Sequence, residues 1–195
     1  MAEDGELLER LQAGDEAAFG ELIGRYHTRL VRFARSYVAD AHSAEDVAQE
    51  TWLAVIRGVE RFEGRSSLRT WLYRVCANRA RTRGVADHRS VAVGSSGASV
   101  NPDRFDRGGA WAAPLDPWGD IDDRLFAEAV APVVLEAIEG LPDGQRQVVT
   151  LRDVEGLTSK ETCEVLSISE THQRVLLHRA RARLRSAIEA RQGDC

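Results

Sequence analysis

Apolar residues recur at three- and four-residue steps along two long parts of the chain, with an aperiodic stretch between them. The clearest period is Phe19, Leu22, Ile23, Tyr26, Leu30, Phe33 and Tyr37. It predicts an amphipathic helix over about Glu16–Val38 with those side chains in the core. Ahead of it, Leu7, Leu8 and Leu11 predict a short helix over Glu6–Ala13, and Gly14 then Asp15 reads as a stop followed by an N-cap. Asp40–His42 reads as a turn. A third helix follows, N-capped by Ser43, with Val47, Trp52, Val55, Ile56 and Val59 as one apolar stripe. Asp46, Gln49 and Glu50 cluster on its polar surface. Phe62–Ser67 reads as a tight loop in which Gly64 supplies a positive φ. Ser66 or Ser67 caps a fourth helix carrying Leu68, Trp71, Leu72 and Val75, and this first helical unit ends near Arg83–His88.

From Arg89 to Asp123 the period disappears among Gly94, Gly97, Pro102, Gly108, Gly109, Pro114, Pro117 and Gly119. Helical patterning resumes over Leu125–Glu139. Pro142 opens the next helix, about Asp143–Glu155, which Gly156 ends. Thr158 with Glu161 forms a capping box that starts a short helix to Leu166. Ser167, Ile168 and Ser169 make a turn, and a last helix runs from Glu170 toward Ala190. A short helix, a three-residue turn and a longer basic helix form a helix-turn-helix. Cys163 supplies the small residue where the two helices cross, and Ile168 plugs the junction. The expected fold class is all-α: two small helical domains, residues 1–88 and 124–195, joined by an acidic Gly/Pro/Ser-rich linker over residues 89–123.

Charge changes the picture more than composition does. The 195 residues are 43% hydrophobic, so real cores can form, and carry a formal net charge of −5. That value alone argues against a nucleic-acid binder, yet the charge is segregated. Arg57–Arg89 and Arg174–Arg191 are basic, while Asp103–Glu128 is acidic. Local stripes decide binding. Lys160 is the only lysine, so arginine, suited to bidentate phosphate and guanine contacts, carries the positive charge. Cys76, Cys163 and Cys195 are widely spaced, without CxxC or Cys/His clustering, which suggests neither a disulfide framework nor a zinc site. Cys76 and Cys163 read as small core residues. The acidic start lacks the apolar run of a signal peptide and no stretch reaches transmembrane length, so a cytoplasmic protein without membrane insertion is expected.

The central stretch carries a specific resemblance. Asp46, Gln49, Glu50 and Trp52, then Arg61, Phe62, Gly64, Ser66 and Ser67, then Thr70–Arg74 and Asn78 resemble conserved region 2 of the sigma-70 family over about forty residues. They are most similar to its small extracytoplasmic-function (ECF) group. The Phe19–Tyr26 period also resembles the opening of that family. Leu141, Pro142, Arg146, Val149, Leu151, Gly156–Thr158, Ile168, Ser169 and Leu177–Arg181 resemble region 4.

The resemblance implies a bacterial RNA polymerase sigma factor, with core polymerase (clamp helices and flap) and promoter DNA as partners and an anti-sigma factor as inhibitor. Asp46, Gln49, Glu50 and Leu53 would then grip the clamp helices. Arg61, Phe62, Arg65, Ser66, Ser67, Arg74, Asn78 and Arg81 would recognise the −10 element and help open it. Opened DNA offers unstacked bases and a phosphate backbone. Arginines attract the phosphates, and a loop can pocket an extruded base. Trp52, Trp71 and Leu72 remain readable either as core or as base platforms. In the helix-turn-helix, Ser169, Glu170, Thr171, His172 and Arg174 lie at the start of the second helix, where base edges are read at the −35 element, and Arg179 suits a phosphate or surface role, as do Arg181 and Arg183. Four residues depart from the usual pattern: Ser167 stands at a turn glycine, Gln173 at an apolar position, and Val175 and Leu176 at polar or basic ones. Either the second helix is slightly rotated or Val175 and Leu176 contact something else.

As a free coil the linker spans on the order of 35 Å, with an extended limit above roughly 110 Å. Promoter elements two duplex turns apart lie about 70 Å from each other, so the linker must be partly extended, as on a track through polymerase. Trp111 and Trp118 in it suit either a local packing contact or docking on a partner. Two other classes compete with this one. The C-terminal half alone allows a helix-turn-helix regulator that binds duplex DNA without polymerase. An enzyme is disfavoured because no carboxylate pairs with His, Cys or metal-ligand spacing, and no catalytic residue, metal or cofactor is expected.

Overall fold

The computed structural model describes the backbone of residues 2–90 and 134–193, with side chains for 5–84 and 134–188. The linker, Trp111 and Trp118, and the first part of the Leu125–Glu139 helix lie outside the described residues. The elements are α1 (Ala2–Gln12), α2 (Glu16–Ala34), α3 (Ala41–Gly58), a 3₁₀ turn (Val59–Arg61) and α4 (Leu68–Ser90). They continue with α5 (134–139), α6 (Asp143–Val149), a π-helical turn (Thr150–Val154), α7 (Ser159–Leu166) and α8 (Glu170–Gly193). There is no strand among the described residues.

Helix α2 is the spine of the first unit. Asp15 caps it, accepting from the amides of Ala17 and Ala18 at 2.8 and 3.3 Å. Gly14 before it sits at φ 79°, a left-handed stop that glycine adopts without a Cβ clash. Leu22, Tyr26, Leu30 and Phe33 are buried as the period requires. Ile23 is not; at 37% exposure it lies on the outer face. The helix ends at Ala34, short of Val38. The Ser36 hydroxyl donates to the Phe33 carbonyl at 2.7 Å and the Ser36 amide to the same oxygen at 3.0 Å, which closes the turn early.

Helix α3 starts three residues earlier than expected. Asp40, not Ser43, is the N-cap: its carboxylate accepts from the Ser43 amide and hydroxyl, both at 2.8 Å. A charged acceptor wins the cap because bonds to an ionised group are the stronger ones. Val47, Trp52, Val55 and Val59 are buried, but Ile56 is 51% exposed. Trp52 is core: its indole donates to His27 Nδ1 at 3.2 Å, and His27 Nε2 lies 2.9 Å from Glu45. In α4 the buried residues are Leu68, Leu72, Tyr73, Cys76, Ala77 and Ala80. The Tyr73 and Phe33 rings meet edge to face at 5.3 Å. Burial pushes the Cys76 thiol up to about 12, as befits an inert core residue.

Helix α4 can approach the segment after α2 closely because residue 84 is glycine. A Cβ there would lie 2.6 Å from the Tyr37 carbonyl oxygen. Gly84→Ala should therefore cost about 1–3 kcal/mol, the range for overpacking. A urea midpoint unchanged from wild type would contradict this close approach.

In the second unit the capping box forms as expected. Thr158 Oγ1 accepts from the Glu161 amide at 3.2 Å, and Glu161 Oε2 accepts from the Thr158 amide at 2.9 Å. Ser167 adopts φ 58° and ψ 44°; its short side chain takes the left-handed position where glycine is usual. The helix expected over Asp143–Glu155 turns π-helical from Thr150, and Gly156 at φ 67° ends it. Gln173 is 1% exposed and its Oε1 accepts from the Ser159 hydroxyl at 2.9 Å, so a hydrogen bond to α7 replaces the usual apolar contact. Leu176 packs against α6, where a Cβ added to Gly144 would meet its methyls at 3.6 and 3.7 Å. Val175 remains 36% exposed.

Candidate functional site

Three surfaces carry the residues singled out above. The first is the outer face of α3. Helical spacing aligns Asp46, Gln49, Glu50, Leu53 and Ile56 along it. Gln49 and Glu50 are exposed, and Leu53 is 53% exposed. A large apolar side chain held in water beside carboxylates is the mixed chemistry of a docking surface. Arg83 on α4 braces it: Nη2 lies 2.7 Å from Asp46 and Nη1 3.6 Å from Glu50. Arg83 belongs to the basic stretch Arg57–Arg89, and the structure turns it to the acidic patch.

The second surface is the loop between the 3₁₀ turn and α4. Gln12 on α1 fixes it by donating to the carbonyls of Val59 and Phe62 at 3.2 and 2.9 Å. Gly64 has φ 69°, as the tight loop requires. Ser67 is the residue that opens α4, its hydroxyl accepting from the Thr70 amide at 3.1 Å. Phe62 and Trp71 face each other with ring centroids 4.9 Å apart, and Trp71 lies over Gly58, where a Cβ would come within 3.3 Å of its ring. The result is a cavity of about 420 Å³ lined by Arg61, Phe62, Arg65, Ser66, Trp71 and Arg74, together with two carboxylates, Glu63 and Glu164. Arg61, Arg65 and Arg74 are exposed. An aromatic floor, a hydroxyl and three guanidinium groups suit a planar base with its phosphates.

Asn78 and Arg81 sit one and two turns further along α4. Arg81 Nη1 donates to Asn78 Oδ1 at 3.0 Å, and Nη2 donates to the Val165 carbonyl at 2.8 Å. Neither residue reaches the loop cavity; both belong to the face of α4 that meets α7.

The third surface is the start of α8. Ser169, Glu170, Thr171, His172 and Arg174 are all exposed there. Ser169 caps the helix, accepting from the His172 amide at 3.2 Å. Glu170 lies 3.4 Å from Arg174, one turn on. Arg179 is exposed. Arg181 is exposed too, but it is engaged, pairing with Asp153 at 2.6 and 2.9 Å.

Three carboxylates that the sequence did not single out for function lie between the two units. Glu161 holds Thr158 with Oε2, while its Oε1 accepts from Thr70 at 2.7 Å and Ser67 at 3.2 Å. Burial would raise its pKa, but the Thr158 amide and the three hydroxyls outweigh that and lower it to about 2. Glu155, with its side chain 3% exposed, lies 3.5 Å from Arg29. Burial first, and the Glu155 charge second, raise the Tyr73 hydroxyl well above the ordinary tyrosine range. Glu164, on α7, lines the loop cavity together with Glu63. No group of three or more His, Cys, Asp or Glu that could hold a metal occurs among the described residues. No described helix is long and apolar enough to cross a membrane.

Two family models match the chain: sigma-70 region 2 over residues 22–86, and sigma-70 region 4 over residues 133–184. The two matched segments are the two helical units described above. The ECF RNA polymerase sigma-E factor of Escherichia coli K12 is 30% identical over 186 residues, covering 95% of this chain and 94% of that protein. The RNA polymerase sigma-H factor of Pseudomonas aeruginosa is 29% identical, covering 96% and 94%. The chain therefore belongs to the sigma-70 family, in its ECF group. Among solved structures, CnrH in complex with the cytosolic domain of CnrY aligns over 96% of this chain and 97% of that one, with TM-score 0.58 and 24% identity. The sigma factor RpoE in complex with the anti-sigma factor NepR from Bartonella quintana covers 88% and 96%, with TM-score 0.54 and 21% identity. Those two share the fold.

Proposed function

We infer that this chain is a promoter-specificity subunit: it binds core RNA polymerase, directs it to −10 and −35 elements and promotes opening of the DNA. The observation that carries the reading is the loop cavity of region 2, where Phe62, Trp71, Ser66 and three arginines converge, held in one chain with a helix-turn-helix. A regulator that only docks on duplex DNA has no use for a base-sized cavity.

The roles divide by surface. Asp46, Gln49, Glu50 and Leu53 take the clamp helices of polymerase. Arg61, Phe62, Arg65, Ser66, Ser67 and Arg74 receive the −10 strand, with Asn78 and Arg81 further along its path. Ser169, Glu170, Thr171, His172 and Arg174 enter the −35 major groove, and Arg179 lies toward its phosphates. Residues 1–88 and 124–195 act as the two DNA-reading domains, and 89–123 as the tether. The protein works in the cytoplasm, with chemistry left to polymerase and no cofactor of its own. An anti-sigma protein is the expected inhibitor, as such a partner is present in the solved RpoE–NepR complex.

Mixing the purified chain with core polymerase tests the first step. A stable complex on size exclusion is expected. A chain that elutes alone, yet binds duplex promoter DNA as tightly as the mixture does, would sink the reading.

A further inference from the structure

Val175 is out of place on the helix that carries it. Helix α8 is rich in charge, and among its described residues Val175 is the one large apolar side chain that stands exposed. Gln173, Leu177, Ala180 and Leu184 are buried and form the stripe that holds α8 to its unit. At about 100° per residue, Val175 lies within roughly 20° of the direction opposite that stripe. It sits in the second turn of the helix, which begins at Glu170.

Neither packing nor propensity accounts for a valine there. Leu176, the other apolar residue out of pattern, is half-buried against Gly144 on α6. Val175 has no place in the buried stripe. A β-branched residue is also a poorer helix former than alanine, arginine or glutamate, because the preceding turn restricts its χ1. A purely solvated helix position therefore gains nothing from it.

The surroundings of Val175 are those of a base-reading face. Thr171 lies one turn before it and is exposed; residues four apart are neighbours on a helix surface. The Thr171 methyl and the Val175 methyls thus form one small apolar facet. Arg174 flanks it on one side and Arg179 on the other, both exposed. We propose that Val175 is a specificity-determining residue: it takes the C5-methyl group of a thymine in the major groove of the −35 element, with the Thr171 methyl beside it. The inference rests on the sigma-factor reading and adds the base that one position of the element must carry.

The chemistry selects thymine. Its edge alone presents an apolar group in the major groove, whereas the other bases present donors and acceptors. Valine offers neither donor nor acceptor, so it can discriminate only by apolar contact. Against a polar base edge it would displace water without replacing the hydrogen bonds. Its stiff χ1 also holds the methyls in one orientation, with little freedom to lose on binding. The flanking arginines leave charge for phosphates on either side of the facet.

The test uses the full-length chain with core polymerase, on a promoter whose start that holoenzyme defines. Each thymine of the −35 element, on both strands, is replaced singly by deoxyuridine. This deletes the methyl and leaves every hydrogen-bonding group of the base in place. One replacement should weaken holoenzyme binding by about three- to fivefold, the worth of one buried methyl group. With Val175→Ser, which presents a hydroxyl instead, the same replacement should have no effect. The Val175→Ala chain should unfold at the wild-type temperature or slightly above it, because the site is exposed and alanine favours helix. No penalty at any −35 thymine overturns the proposal. So does a penalty that persists undiminished in Val175→Ser, which assigns the methyl to another side chain. A clearly lower unfolding temperature for Val175→Ala does the same, since it makes Val175 a packing residue. A chain that supports no initiation with core polymerase fails the sigma-factor reading, and this inference falls with it. A holoenzyme that initiates and depends on its −35 element, yet shows no methyl penalty, fails this inference alone.

Discussion

Replacing Asp46 and Gln49 together by alanine should weaken the complex with core polymerase by roughly a hundredfold. The pair offers one charged and one neutral acceptor on the exposed side of α3. Hydrogen bonds to a charged group contribute about 1.5–3 kcal/mol and neutral ones about 1 kcal/mol, and each 1.4 kcal/mol is tenfold in affinity. The fold should survive, because neither side chain is in the core. Asp46 does pair with Arg83 at 2.7 Å, but a half-exposed pair of this kind contributes only about 0–1 kcal/mol. Thermal unfolding of the double variant should thus stay close to wild type. Titration of labelled chain into core polymerase measures the loss, and equal affinity for the two proteins would remove α3 from the polymerase interface. Leu53→Ala should add to the deficit, since Leu53 is an exposed apolar group on the same face.

The second large effect is on strand opening. Arg65→Ala with Ser66→Ala should slow opening of the −10 region by roughly tenfold or more, the consequence of losing one charge-assisted bond and one hydroxyl at the cavity. Core binding should not change, because the loop stands apart from the acidic face of α3. Arg65 is mostly solvent-exposed and pairs with Glu63, at 2.9 Å, so its removal leaves the cavity walls of Phe62 and Trp71 standing. Permanganate reactivity of −10 thymines reports opening. A template already mismatched over that region should rescue a melting defect, while a defect in holding the extruded base persists on it. Wild-type opening and wild-type promoter choice by the variant would make the loop a plain interhelical turn.

How far the sequence could be read depended on whether a signal was local. The 3.6-residue period placed α2, and the Thr158–Glu161 box placed the start of α7, because period and cap are written in adjacent residues. The period also overreached. Ile23 and Ile56 satisfy it yet face water, since a stripe one residue too wide looks the same in sequence as one that fits. The cap of α3 was misplaced because Asp40 and Ser43 are both good caps, and only the folded turn shows which oxygen accepts the amide.

The candidate site was legible as a set of motifs and not as a set of neighbours. Glu161 read as half of a capping box, and that was right for Oε2 alone. Arg69, Arg81 and Arg83 all belong to the basic stretch Arg57–Arg89. They diverge in the structure to the Glu155 carbonyl, the Val165 carbonyl and Asp46 respectively. Which partner an arginine finds depends on residues tens to more than eighty positions away, and no window of sequence contains both. Gln12 bracing the loop, across about fifty residues, is the same case. Leu176 resolves in the opposite direction. Its apolar character, out of place for a DNA-facing helix, is explained by Gly144 on α6.

The central claim is that this chain confers promoter choice on polymerase. Runoff transcription with purified core enzyme on genomic DNA, with transcript starts mapped, tests it most directly. The account predicts starts that appear only when the chain is added and that share paired elements upstream, about two turns apart. Starts that are the same with and without the chain, or a chain that binds those promoters without recruiting polymerase, would contradict it.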